Sequence, residues 1–270
     1  MKTVKQNVHF LDEELMNPVN PIRVNVIGAG GTGSKFMTCL MEINHSLIEL
    51  GHPGLQVHLW DDDIISSANI GRQRFAESER GLNKSVAIIN RLNRWSGTNW
   101  KAETQKFQRD IDGNIPENAG ASIYVSCTDT VASRFEIAEI IKQLNKQYSY
   151  RRDRAKYWLD LGNTKYSGQA ILSTVGTIKQ PDSKKFKTFG TLPSIIDEYG
   201  TLMTEAEPED DTPSCSMAES LQKQDLFINA SLAQMGASLL WNLFLFGMTE
   251  NRGFFHNLKN FQTQPISVGN

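Results

Sequence analysis

Only three cysteines occur in this chain of 270 residues, Cys39, Cys127 and Cys215, and no two of them form a Cys-x-x-Cys pair. A disulfide framework is therefore excluded, and no zinc site is expected. An excess of charge of one sign is also missing. Lys plus Arg number 28 against 30 for Asp plus Glu, which leaves no net field to recruit nucleic acid or a membrane surface. Met1 to Asn20 holds no apolar core of a secretory signal. The longest apolar stretch, Ala237 to Met248, is interrupted by Asn242 and Gly247 and is too short to span a bilayer. The expectation is a cytoplasmic globular protein, long enough to bury a sizeable α/β core.

The pattern along the chain alternates strand with helix. Residues 1–21 are polar, end in Asn17-Pro18-Val19-Asn20-Pro21, and read as an N-terminal extension or linker. Strands are expected over 22–27, 55–60, 121–126, 157–162 and 169–173, with a weaker one over 100–107. Apolar residues at helical spacing predict helices over 34–50, 83–95, 133–147 and 224–246. This order predicts a Rossmann-like, doubly wound α/β fold: a mostly parallel sheet flanked by helices, with additional C-terminal strands. Residues 22–270 read as one domain, interrupted by a long polar loop over about 176–215. That loop carries four prolines and the acidic run Glu205 to Asp211, and a polar tail follows the last helix.

Val24-Asn25-Val26-Ile27 runs into Gly28-Ala29-Gly30-Gly31-Thr32-Gly33. A β-branched strand that empties into spaced glycines and then a helix is the pattern of a phosphate cradle. The glycines permit a tight turn and a close backbone approach, and the helix N-terminus favours an anion. Trp60-Asp61-Asp62-Asp63 ends the second strand, where an acid takes ribose hydroxyls; Asp61 lies 28 residues beyond Gly33. Asn69, Arg72 and Gln73 follow, then Lys84. A hydride-transfer enzyme needs only a pyrophosphate on glycine N–H groups. Two further cations and an amide point to a triphosphate, with Arg72 as a planar fork on phosphate oxygens and Lys84 as a point charge. Asp129 comes after a sheet strand, five residues before Arg134. Beside a triphosphate its carboxylate suits Mg²⁺, and it is equally competent as a helix N-cap.

Taken together, Gly28-x-Gly30-Gly31-x-Gly33, Asp61 with Asp63, Asn69-x-x-Arg72-Gln73, Gly81-Leu82-Asn83-Lys84 and Asp129-x-x-x-x-Arg134 resemble the ThiF/MoeB/HesA superfamily of ubiquitin-activating-enzyme-like adenylyltransferases. The later stretch from Gly162 to Ala170, with Gly168-Gln169, is similar to that family's Gly-x-x-Gly-Gln strand entry, so the resemblance covers about residues 22–250. More narrowly, the chain resembles the ThiF-related member of the plasmid-borne PRTRC cassette. The resemblance implies that the C-terminal carboxylate of a small β-grasp, ubiquitin-like protein attacks the α-phosphate of ATP. It also implies that Asp61 binds ribose, that Asn69, Arg72 and Lys84 hold phosphates, and that Asp129 holds magnesium. Gln73 is expected to position the partner's tail or a phosphate, and Gly31 to leave backbone room for that tail. Family members dimerise, and the apolar face of Phe227, Leu232, Met235, Leu239 and Trp241 could serve here, though a core role explains it equally well.

Pro213-Ser214-Cys215-Ser216 resembles the family's Pro-x-Cys-Thr segment, which implies a thioester-forming nucleophile at Cys215. A cysteine beside a helix N-terminus gains thiolate character, which favours the same role. Cys39 and Cys127 read as small core residues. The chain departs from the family in two respects: it lacks the paired Cys-x-x-Cys zinc ligands, and residues 1–21 contain no arginine to act across a dimer. Arg23 is poorly placed for that task; either another cation, Arg74 being one candidate, replaces that arginine or the chemistry is slower. Two other classes remain open: an NAD(P)-dependent oxidoreductase on the same turn, and a non-catalytic scaffold for a ubiquitin-like partner.

Overall fold

The computed structural model describes residues 5–147, 154–205 and 224–269. In chain order the elements are β1 (Gln6–Phe10), α1 (Glu13–Met16), β2 (Ile22–Ile27), α2 (Gly33–Glu49), β3 (Leu55–Trp60), α3 (Lys84–Ser96), β4 (Lys101–Glu103), β5 (Ile123–Ser126), α4 (Val131–Gln147), β6 (Tyr157–Asn163), β7 (Ser167–Thr174), β8 (Phe186–Thr188), α5 (Ile195–Glu205), α6 (Ile228–Phe246), β9 (Met248–Thr249), β10 (Asn251–Asn257) and β11 (Gln262–Ser267). Eight strands form the main sheet in the order β11-β10-β7-β6-β5-β2-β3-β4. The run β6-β5-β2-β3-β4 is parallel, and β7, β10 and β11 continue it antiparallel.

Strands covered on both faces alternate between two cores. Val24 and Val26 of β2, Ile123 and Val125 of β5, and Leu159 and Leu161 of β6 join one core with Phe36 of α2, Ile88 of α3 and Leu232 and Leu240 of α6. Ile27, Tyr124 and Trp158, the intervening residues, join the other with Ile137 and Ile141 of α4 and Ile195 of α5. This period of two, buried on either side, is what a doubly wound parallel sheet requires. Cys39 and Cys127 pack against the first core as small apolar residues. Leu232 is fully buried in the first core, Met235, Leu239 and Trp241 pack against it while staying half-buried, and Phe227 is exposed.

Four expectations are revised. Residues 6–10, read as part of a linker, form β1, which pairs parallel with β8 and antiparallel with β9 in a small second sheet. The long loop contains β8 and α5; Cys215 and the acidic run from 206 onward lie outside the described residues. The polar tail is the β10–β11 hairpin that closes the sheet. The strand expected over 100–107 stops at Glu103, after which Phe107 crosses to the other face and packs edge-on against Trp60 and Tyr124, with ring centroids at 5.1 and 6.1 Å. No helix among the described residues is long and apolar enough to cross a membrane.

Buried polar contacts tie the N-terminal segment down. His9 Nδ1 lies 2.7 Å from the Phe189 carbonyl and His9 Nε2 lies 2.8 Å from the Tyr157 hydroxyl, which also accepts the Asp12 N–H at 3.0 Å. Burial holds the His9 imidazole below its ordinary pKa. The neutral ring then donates from Nδ1 to the carbonyl and accepts the tyrosine hydrogen at Nε2. Lys156, itself buried, donates to Asp12 at 2.9 Å and to Glu14 at 2.6 Å. Tyr157→Phe would orphan both His9 Nε2 and the Asp12 N–H. It should lower unfolding free energy by about 1–3 kcal/mol, read as a fall in the urea midpoint at unchanged slope; an unmoved midpoint would mean these contacts are dispensable.

Candidate functional site

Connections from β2 lead first to β3 and β4 on one side, and the chain then returns to β5 on the other. The reversal opens a crevice at the carboxyl ends of β2 and β5, the usual ligand position in such sheets. The glycine turn lies there. Gly28 has φ +97°, and a Cβ on it would sit 2.8 Å from the Cys127 carbonyl oxygen. A Cβ on Gly33 would collide with the Gly28 carbonyl. These two glycines let the turn, the end of β5 and the start of α2 touch through backbone alone. Gly31 is required for a different reason: its Cβ would come within 2.6 Å of the Asn229 amide. The room expected beside Gly31 for an incoming tail is thus filled by α6. Gly30 faces open space among the described residues, with no heavy atom beyond its chain neighbours within 4 Å of a Cβ built there.

No side chain among the described residues caps the start of α2. Thr32 turns its hydroxyl to Asn229 Oδ1 at 2.8 Å, with Asn163 Oδ1 at 3.3 Å. The positive end of a helix of 17 residues is therefore left for an anion. Asp61 braces the turn from β3: Oδ2 accepts the Ala29 N–H at 2.6 Å and Oδ1 accepts the Asp63 N–H at 3.0 Å. A carboxylate has about four acceptor sites, so capacity remains for hydroxyl donors. Burial pushes the Asp61 carboxyl above its ordinary range, while Lys84 and the two N–H donors pull it back.

The segment between β3 and α3 carries the expected cations. Asn69 uses its side-chain oxygen to accept from the Ser66 N–H at 2.8 Å and the Ser66 hydroxyl at 3.1 Å, so it shapes the loop. Arg72 donates from Nη1 to Gln224 Oε1, and its buried Nε has no partner among the described residues. Burial lowers its pKa from the ordinary value. Gln73 is buried, and its Oε1 has no partner among the described residues. Two unsatisfied buried polar atoms beside an open turn are what a missing polar ligand leaves behind. Lys84, nearly buried, pairs with the exposed Asp63 at 2.6 Å. Arg74 is exposed and donates to Thr38 of α2 at 3.1 Å, a turn beyond the glycine turn.

Asp129 lies exposed in the loop after β5. The loop is held by Arg134, whose Nη2 donates to the Thr128 carbonyl at 2.8 Å and Nη1 to that of Thr130 at 3.2 Å. Arg134 is anchored by Asp160 on β6 at 2.9 Å, and Asp160 Oδ1 also accepts the Ser126 hydroxyl at 2.6 Å. Gly162 and Gly168 let β6 and β7 approach beneath this group: a Cβ on Gly162 would meet the guanidinium at 2.6 Å. No cluster of three metal-ligating side chains occurs among the described residues.

Sequence reasoning missed Lys35, Asn163, Asp160, Gln224 and Asn229. Asp160 carried a signal: a carboxylate inside the apolar run 157–161 must find a buried cation, and Arg134 sits on an otherwise apolar helix face. Asp160→Ala leaves Arg134 buried and unpaired. It should cost about 3–5 kcal/mol of stability, measured by chemical denaturation; a loss under about 1 kcal/mol, the value of a surface pair, would show the ion pair to be peripheral.

Residues 4–268 match the model of the ThiF family. No curated protein sequence matches the chain. Among solved structures, PaaA is similar with a TM-score of 0.57 at 14% identity, over 92% of this chain and 64% of that one. MccB of E. coli in a structure with ATP gives a TM-score of 0.53 at 17% identity, over 95% of this chain and 65% of that one. MccB with AMPCPP and MccA gives 0.53 at 18% identity, over 95% and 66%. The chain thus spans slightly less than two thirds of the length of these proteins, and at such identities the likeness is one of fold. The family match runs over nearly the whole sequence, and this chain belongs to the ThiF family.

Proposed function

We propose that the chain adenylates the C-terminal carboxylate of a protein or peptide with ATP. The observation that carries this reading is the glycine turn: among the described residues it is open at Gly30, uncapped at the start of α2, and flanked by Arg72 with its unpartnered Nε. A carboxylate oxygen of the partner attacks the α-phosphorus, the bond to the β-phosphate oxygen breaks, and pyrophosphate leaves. Attack by an anion on a polyanion needs cations to neutralise the phosphates first, and preorganised charge is commonly the largest catalytic contribution. In this reading Asp61 takes ribose hydroxyls, and Asn69, Arg72 and Lys84 serve the phosphates. Arg72 exchanges Gln224, and Lys84 exchanges Asp63, for phosphate oxygens. Asp129 would supply one carboxylate to Mg²⁺, an ion that is usually held by one or two carboxylates together with substrate phosphates. The metal would add charge neutralisation at the departing pyrophosphate.

Membership of the ThiF family and the solved MccB complexes with ATP and with MccA support a nucleotide and a peptide-like partner. The finer reading is a small ubiquitin-like β-grasp protein as partner, a cytoplasmic homodimer as the working form, and Cys215 as acceptor of the acyl group. An oxidoreductase leaves Arg72, Lys84 and Asp129 without roles as a set, and a scaffold leaves the open turn unexplained.

The proteins that co-purify with the chain from cells should support ATP–pyrophosphate exchange. Arg72→Ala or Asp129→Ala should lower it by at least about 100-fold. Absence of exchange together with tight NAD binding would overturn the reading in favour of hydride transfer, while partner binding indifferent to ATP and to Asp129→Ala would favour the scaffold. For Cys215, a thiol-labile conjugate on a non-reducing gel is expected with ATP and partner, and its persistence in Cys215→Ala would remove the thioester from the scheme.

A further inference from the structure

Lys35 stands on the first turn of α2, and its Nζ donates to the Gly31 carbonyl at 3.1 Å and to the Arg72 carbonyl at 2.7 Å. One ammonium thus joins the glycine turn to the segment that carries Arg72, two pieces of chain far apart in sequence. We propose that Lys35 is a positioning residue for the phosphate-binding arginine: it fixes the Arg72 backbone against the glycine turn and adds its own charge to the anion-receiving group. This rests on the reading that the turn receives ATP.

Three observations support it. The side chain is half-buried, so its head reaches the two carbonyls along a fixed path. Its hydrogen-bond acceptors are backbone oxygens, which leaves its charge uncancelled, unlike that of Lys84, which has Asp63. The charges that act on it are like charges, Arg72 and Arg74 from the segment packed across α2. Cations held together without a counter-ion store repulsion that a polyanion relieves. Burial first, then Arg74 and Arg72, bring the Lys35 ammonium down to about 8. An arriving polyanion restores it toward its ordinary value, so binding near that pH is coupled to proton uptake.

Calorimetry of Mg-ATP binding at pH 8, in Tris and in HEPES, reads affinity and proton uptake together. Wild type should take up about half a proton per nucleotide, since Lys35 is about half ionised at that pH. Lys35→Met should bind about tenfold more weakly, having lost two charge-assisted hydrogen bonds, and should show no uptake. Lys35→Arg, permanently charged and able to span the same carbonyls, should bind close to wild type and also show no uptake. A lysine that merely props the loop predicts neither the uptake nor its selective loss in the arginine variant. Wild-type binding whose affinity and proton uptake survive in Lys35→Met would overturn the Lys35 role and leave the nucleotide reading intact. No Mg-ATP binding by wild type would overturn both.

Discussion

The structure depends on backbone meeting backbone where β2 ends. Gly28 lies against the Cys127 carbonyl and Gly33 against the Gly28 carbonyl, at separations that no side chain permits. Close packing of this kind fixes the turn, the end of β5 and the start of α2 as one unit, because a protein interior has no slack to absorb a methyl group. The crevice, the orientation of α2 and the height of the Asp129 loop all follow. Asp61 secures the third side by accepting the Ala29 N–H, so the strand-end acid belongs to the scaffold as much as to any ligand.

Around this frame the charges are arranged unequally. Arg134 and Asp160 cancel each other in the core and hold the β5–α4 loop. Lys84 is neutralised by Asp63, which is itself exposed and therefore easily displaced. Among the described residues no carboxylate pairs with Arg72 or Lys35, and Lys35 ties the Arg72 segment to the glycine turn. Buried pairing stabilises the scaffold, and uncancelled charge is concentrated where an anion would arrive. Asn229 and Gln224 connect the two regions: Thr32 donates to Asn229, whose amide donates to Gln224, the residue that also holds Arg72.

Much of this was legible in the sequence. β-branched runs set the parallel strands and the 3.6-residue spacing set α2, α3, α4 and α6, because local pattern and burial agree in those elements. Gly28 and Gly33 were legible as turn glycines; Gly31 was misread because its neighbour, Asn229, lies 198 positions away in sequence, and only the packing of α6 on α2 brings them together. Lys35 was missed for a similar reason: it looks like an ordinary solvent-facing lysine until the Arg72 carbonyl is placed beside it. β1 was hidden because its pairing partners, β8 and β9, are short and remote. The corrected pieces are those whose structure comes from long-range contact and not from local preference.

A crystal structure of the chain with AMPCPP tests the central claim most directly. The account predicts phosphates against the open side of Gly30 and the N-terminus of α2, with the Arg72 guanidinium transferred from Gln224 to phosphate oxygens. Nucleotide bound elsewhere, or bound at the turn with Arg72 still on Gln224, would contradict it.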